Sequence, residues 1–149
     1  MCETLARKLK HDVVLAPIMR AGLAMEESIH TLFPMAPTAH YGCFRDEETL
    51  EPRQYFCKSP KAESQVLLIL DPMLATGGSM VSAIKEFKSR GYNDIRALTI
   101  ISVPYGIMRV HQEYPDARIY TCAVDQGMDD NGYILPGAGD LGDRIFGAA

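Results

Sequence analysis

The stretch Val66-Leu67-Leu68-Ile69-Leu70-Asp71-Pro72-Met73-Leu74-Ala75-Thr76-Gly77-Gly78-Ser79 decides how the chain is read. Five consecutive apolar residues suit a strand covered on both faces. An acid at the strand tip and a turn with two glycines then lead into residues 79–90. There Met80, Ile84 and Phe87 share one helical face, and Gly91 stands where a helix C′ glycine belongs. Gly77 and Gly78 let the backbone turn tightly and approach a ligand with no Cβ in the way. The free N–H groups of the helix start, backed by the helix dipole, favour an anion. Thr76 and Ser79 add hydroxyl donors. Asp71 has the wrong charge for phosphate but suits ribose hydroxyls, or a metal bridging to them. The segment therefore reads as a cradle for the phosphate of a phosphorylated sugar. The plain alternative is an ordinary strand–turn–helix with Ser79 as N-cap. A Walker loop is excluded, because GxxxxGK[ST] is absent and no lysine sits near the turn.

Outward from this segment, helical and extended patterns alternate. Residues 12–16 read as a short buried strand ended by Pro17. Residues 21–33 place Met25, Ile29, Leu32 and Phe33 on one helical face, stopped by Pro34. Residues 38–44 and 54–58 read as two strands around a charged excursion, a hairpin-like flap. Residues 95–103 and 117–124 are strand-like, and residues 105–114 carry Ile107, Val110, His111 and Tyr114 at helical spacing. After Tyr133 the chain is rich in Pro and Gly, with little regular structure expected. The expectation is one α/β domain over residues 1–149, with a mostly parallel sheet flanked by helices. Such sheets bind ligands at the carboxyl ends of their strands.

Bulk properties narrow the function. The chain has 149 residues, 47% hydrophobic and 23% charged, with a net charge of −4. Mixed charges and an acidic balance argue against a general nucleic-acid or membrane-surface binder. No apolar run approaches the roughly 18 residues of a membrane span, and the charged N-terminus lacks the apolar centre of a signal peptide. Cys2, Cys43, Cys57 and Cys122 show no CxxC spacing and read as reduced thiols. A cytoplasmic protein is expected. His11, His30, His40 and His111 show no metal-ligand spacing, and the methionines read as core filling.

The pattern of apolar strand, acid and Ala75-Thr76-Gly77-Gly78-Ser79 resembles the phosphoribosyl pyrophosphate (PRPP) motif of type I phosphoribosyltransferases. With Pro72 in place of a second acid, it looks like the form found in uracil phosphoribosyltransferases. Three further segments are similar to the same family. They are Ala16-Pro17-Ile18-Met19-Arg20-Ala21-Gly22-Leu23, Phe44-Arg45-Asp46-Glu47-Glu48-Thr49-Leu50, and the C-terminal run from Gly132 to Arg144. Gly137-Ala138-Gly139-Asp140-Leu141-Gly142 also matches GxGxxG. A dinucleotide site is rejected, because too little chain follows for the rest of a βαβ unit. Met19, Ala24, Glu47 and Tyr105 depart from the family's usual residues. The first motif begins at Ala16, where family members carry a longer N-terminal segment.

The resemblance implies a set of roles. PRPP would meet Arg20, Arg45, Asp71, Pro72, Met73, Leu74, Ala75, Thr76, Gly77, Gly78, Ser79 and Asp140, with Arg20, Arg45 and Asp71 catalytic. Arg20 would contact the pyrophosphate, and Arg45 would sit in a mobile flap closing over the leaving group. Uracil would meet Tyr133, Ile134, Gly139, Asp140 and Leu141, largely through backbone groups. Magnesium would be the cofactor, bound mainly through PRPP, and a homodimer or higher homo-oligomer is expected. Outside those roles, Asp143 and Arg144 read as structural and could pair with each other, and Asp125, Asp129 and Asp130 read as a solvated loop before the base-binding segment. The implied reaction gives UMP and pyrophosphate from uracil and PRPP. The alternatives are a catalytically weak or inactive paralogue that binds PRPP, uracil or UMP as a regulator, and an RNA-binding regulator, which the acidic charge disfavours.

Overall fold

A computed structural model describes residues 9–46, 49, 51–63 and 65–147, with the Arg45 side chain outside that set. The apolar run Val66–Leu70 forms β4, buried along its whole length. It lies between β1 (Val13–Met19) and β6 (Asp94–Ser102), parallel to both. β7 (Arg118–Val124) extends the sheet beyond β6, again in parallel. On the other side, β2 (His40–Arg45) pairs in parallel with β1, and β3 (Pro52–Lys58) turns back antiparallel to β2. The hairpin expected of the flap is therefore present. A two-residue strand, β5 (Met73–Leu74), pairs with β6 beyond the end of β4. The mixed α/β architecture with a mostly parallel sheet is as the sequence implies.

Helices cover the two faces unequally. α2 (Gly78–Ser89) and α3 (Pro104–Glu113) lie on one face. Met80, Ile84 and Phe87 of α2 pack with Val14, Leu67, Ile69 and Ile95 of the sheet. Burying a side chain such as Phe87 contributes about 1.5–3 kcal/mol. α1 (Leu23–Leu32) covers part of the opposite face, where Met25, Ile29 and Phe33 meet Leu15, Val66, Leu68 and Leu70. Leu32, counted on that apolar face, is exposed instead.

α2 ends as the sequence indicates. Gly91 has φ +96°, its N–H reaches Lys88 O, and the Tyr92 N–H reaches Phe87 O. These two bonds make a Schellman cap, closed by an edge-to-face contact of Tyr92 and Phe87 at 5.8 Å. The N-cap is not the Ser79 of the plain alternative. It is Gly77, with φ +77°, and the helix begins at Gly78, so Ser79 lies inside the first turn.

Pro17 does not end the first strand. The Leu15 N–H donates to Pro37 O, and Leu15 O accepts from the Ala39 N–H. Two residues on, Pro17 presents its missing donor to that same side, and pairing with β2 resumes only at Ile18 opposite Tyr41. The ladder is interrupted where proline cannot donate, so the strand continues to Met19. The C-terminal region is also more regular than expected. β8 (Gly127–Met128) and β9 (Ile134–Leu135) form a small antiparallel pair, and α4 (Leu141–Phe146) follows. Among the described residues, no helix is long and apolar enough to cross a membrane.

Candidate active site

A cleft of about 960 Å³ opens at the carboxyl ends of the parallel strands, where such sheets place their ligands. Arg20 and Ala21 enter it from the end of β1, and Asp71, Met73, Ala75 and Ser79 from the loop between β4 and α2. Cys43, Phe44 and Tyr55 come from the β2–β3 hairpin. Tyr133, Ile134, Gly139, Asp140 and Leu141 close the opposite wall. Arg20 and Asp71 therefore share one concavity with every base-site residue the sequence suggested. Pro72, Leu74, Thr76, Gly77 and Gly78 do not line it; Pro72, Leu74, Gly77 and Gly78 are buried and Thr76 is half-buried beside it. Pro72 O accepts the N–H groups of Ile100 and Ile101, and Leu74 O that of Val103. Arg45 has its backbone in β2, but its side chain lies outside the described residues.

The loop of residues 71–77 is clamped by close packing. A Cβ on Gly106, in α3, would fall 2.3 Å from Ala75 O, so only glycine allows this approach. A Cβ on Gly77 would meet Gly106 O at 3.0 Å. From the same helix, Arg109 donates to Thr76 O at 3.4 Å and lies 3.6 Å from the Glu51 carboxylate. The first-turn amides of α2 have no intrahelical acceptors, and they follow directly on this fixed turn. A rigid loop ending in a helix N-terminus is a preorganised anion site. Burial pushes the Cys43 thiol pKa up, a hydrogen bond from Ser79 opposes that shift, and the Asp71 carboxylate adds to it. The thiol therefore lines the cleft in its neutral form.

The facing loop is held by side-chain carboxylates. Asp125 accepts the Gly137 N–H at 3.1 Å. Asp129 Oδ1 accepts the N–H groups of Asn131 and Tyr133, at 3.0 and 2.8 Å. Asp140 caps α4 by accepting the Asp143 N–H at 2.9 Å. Asp125 and Asp129 are thus scaffold for the loop rather than idle solvated charges. Asp143 and Arg144 do not pair with each other. Arg144 donates to Ala138 O at 2.8 Å, while Asp143 accepts from Arg20 Nη2. A sequence shows that such carboxylates exist, not which backbone amides they will meet.

Phe44 and Tyr55 of the hairpin were not among the residues expected at the site, although both line it. Phe44 and Tyr55 stack at 6.4 Å, and a Cβ on Gly42 would strike the Tyr55 ring at 2.5 Å. The signal lay in the spacing of Gly42, Phe44 and Tyr55 on two paired strands. Among the described residues, no group of three or more His, Cys, Asp or Glu could hold a metal ion.

The fold is one shared with known phosphoribosyltransferases. The purine phosphoribosyltransferase from Pyrococcus horikoshii has the same fold at 17% identity and a TM-score of 0.62, over 79% of this chain and 73% of that one. The uracil phosphoribosyltransferase family model matches residues 2–148. The chain belongs to that family. It is 46% identical over 146 residues to a uracil phosphoribosyltransferase of Acholeplasma laidlawii, covering 97% of this chain and 70% of the relative. It is 49% identical over 148 residues to one of Clostridium perfringens, covering 98% and 69%. A solved protein from Aquifex aeolicus superposes with a TM-score of 0.89 at 36% identity, over 92% of this chain and 66% of that one.

Proposed function

We propose that the chain transfers the phosphoribosyl group of PRPP to uracil, giving UMP and pyrophosphate. The observation that carries this reading is the single cleft in which the phosphate-type loop, Asp71 and Arg20 face the loop of residues 133–142. Family membership supports the same conclusion. The amides and hydroxyls of residues 75–79 hold the 5′-phosphate, and Asp71 binds the ribose hydroxyls. Arg20 and Arg45 offset the charge gathering on the departing pyrophosphate, where guanidinium–phosphate pairing is strong. Tyr133, Ile134, Gly139 and Leu141 seat the uracil, and Asp140 stands between base and PRPP. The residues lining the cleft suit magnesium arriving with the pyrophosphate rather than caged by protein, with Asp71, Asp130 and Asp140 as the carboxylates along it. When bound, the ion supplies further neutralisation of the leaving group.

The ribose passes through an oxocarbenium-like state, so the protein's work is positioning and electrostatic stabilisation. Uracil N1 is acidic enough to release its proton as the new bond forms, and no dedicated base is needed. The chain works as one domain of a homo-oligomer in the cytoplasm. The regulator alternative gains no support from the cleft or the relatives. A radiolabelled uracil assay with PRPP and Mg²⁺, run beside hypoxanthine, cytosine and orotate, tests the reading. UMP formed from uracil alone is expected. No UMP at high protein concentration, or equal use of another base, would overturn it.

A further inference from the structure

Arg20 lines the cleft, and Asp143 does not, although its neighbours Asp140, Leu141 and Gly142 do. Arg20 Nη2 nevertheless donates to Asp143 Oδ1. The carboxylate therefore grips the guanidinium from outside the ligand space. Asp143 is itself fixed, because its N–H is held by Asp140 Oδ1 at 2.9 Å. The turn around it is seated on the loop that carries Arg20. Gly142 is buried, and a Cβ there would lie 3.8 Å from both the N and Cβ of Ala21.

A guanidinium offers five N–H donors in a planar fork. Holding one edge from behind leaves the others for a ligand in the cleft. A half-exposed arginine without such an anchor would sample many rotamers, and ordering it on each binding event would weaken the ligand. The contact is also a side-chain tie between the base loop and the end of β1. We infer that Asp143 is a positioning residue that pre-orders Arg20 for the pyrophosphate group, an inference that rests on the reading of Arg20 given above. Asp143 touches neither substrate. Its effect runs through Arg20 and falls on the pyrophosphate end of the cleft.

The test uses the full chain with Asp143→Ala, Asp143→Asn, Arg20→Met and the Asp143→Ala/Arg20→Met double variant. Binding of inorganic pyrophosphate with Mg²⁺ is measured by calorimetry, alongside steady-state rates with PRPP and uracil each varied. Asp143→Ala is expected to weaken pyrophosphate and raise the KM for PRPP roughly tenfold, with the KM for uracil changed less than twofold. Asp143→Asn keeps an acceptor in the same place and should recover part of the loss. In the Arg20→Met background, removing Asp143 should change pyrophosphate binding less than twofold, because the two act through one contact. Equal or tighter pyrophosphate binding by Asp143→Ala would overturn the inference. So would a tenfold loss that persists without Arg20. If the unaltered chain makes no UMP but the pyrophosphate pattern holds, the activity reading fails and the inference stands. If it makes UMP and Asp143→Ala alters neither pyrophosphate nor PRPP, the inference alone fails. No pyrophosphate binding by the unaltered chain removes the inference, and the activity reading is then decided by UMP formation alone.

Discussion

The two halves of the cleft are built by opposite means. The phosphate half, residues 71–79, is shaped by close backbone packing. Glycines at 77 and 106 bring α3 against the loop, and backbone hydrogen bonds from β6 and Val103 hold its far side. The base half, residues 125–144, is held at an exposed edge by carboxylates that each capture backbone amides. Packing of the first kind is rigid and intolerant of a single added carbon. Bonds of the second kind, made to carboxylates, contribute up to about 1.5–3 kcal/mol each and tolerate local adjustment. A charged phosphate gains most from amides fixed in advance. A neutral planar base can be met by a loop that adjusts to it.

Substitutions can break this comparison. The largest effect is expected from Asp71→Asn, in the phosphate half. It should lower kcat/KM by about two to three orders of magnitude with the thermal midpoint nearly unchanged, read by steady-state rates and circular dichroism. Near-normal turnover would remove Asp71 from the ribose site. Gly106→Ala tests the packing itself. Its new methyl would sit 2.3 Å from Ala75 O, so the loop or α3 must move. A rise of roughly tenfold in the KM for PRPP and a stability loss of about 1–3 kcal/mol are expected, measured by kinetics and denaturant unfolding.

The base half should respond more gently. Asp125→Ala removes the acceptor for the Gly137 N–H, and the KM for uracil should rise about fivefold while that for PRPP stays within twofold. If the PRPP constant rose as much, the halves would not be separable. The smallest effect is a control at the far end of the sheet. The hydrogen bond from Arg96 holds the Asp94 carboxyl below its ordinary pKa of 3.8. A depressed folded pKa stabilises above the unfolded value, and that stabilisation is lost as pH falls through the lower folded one. Asp94→Asn should therefore shrink the loss of stability between pH 7 and pH 3 by only a few tenths of a kcal/mol, since the pair is solvent-screened. Acid denaturation curves measure it, and neither KM should change.

The same contrast explains what the sequence made legible. The strand of five apolar residues, the Gly77-Gly78 turn and the Gly91 cap are local signals, because each depends on residues close in the chain. Pro17 misled, because a proline's cost in a strand depends on whether a neighbour needs its N–H, and the gap between β1 and β2 removes that need. Two-residue strands such as β5 and β8 carry no periodicity to read. The partners of Asp125, Asp129 and Asp143 are set by tertiary placement. The base loop was therefore recognisable only through its resemblance to a family, and its scaffold was not recognisable at all.

Amide hydrogen exchange can follow both halves in one experiment. Adding PRPP alone should slow exchange at residues 75–80 and leave residues 133–141 close to the free protein. Adding UMP, which carries both a 5′-phosphate and the base, should slow both segments. If UMP left residues 133–141 exchanging as in the free chain, or PRPP protected them as strongly as residues 75–80, the division of the cleft into a phosphate half and a base half would be contradicted.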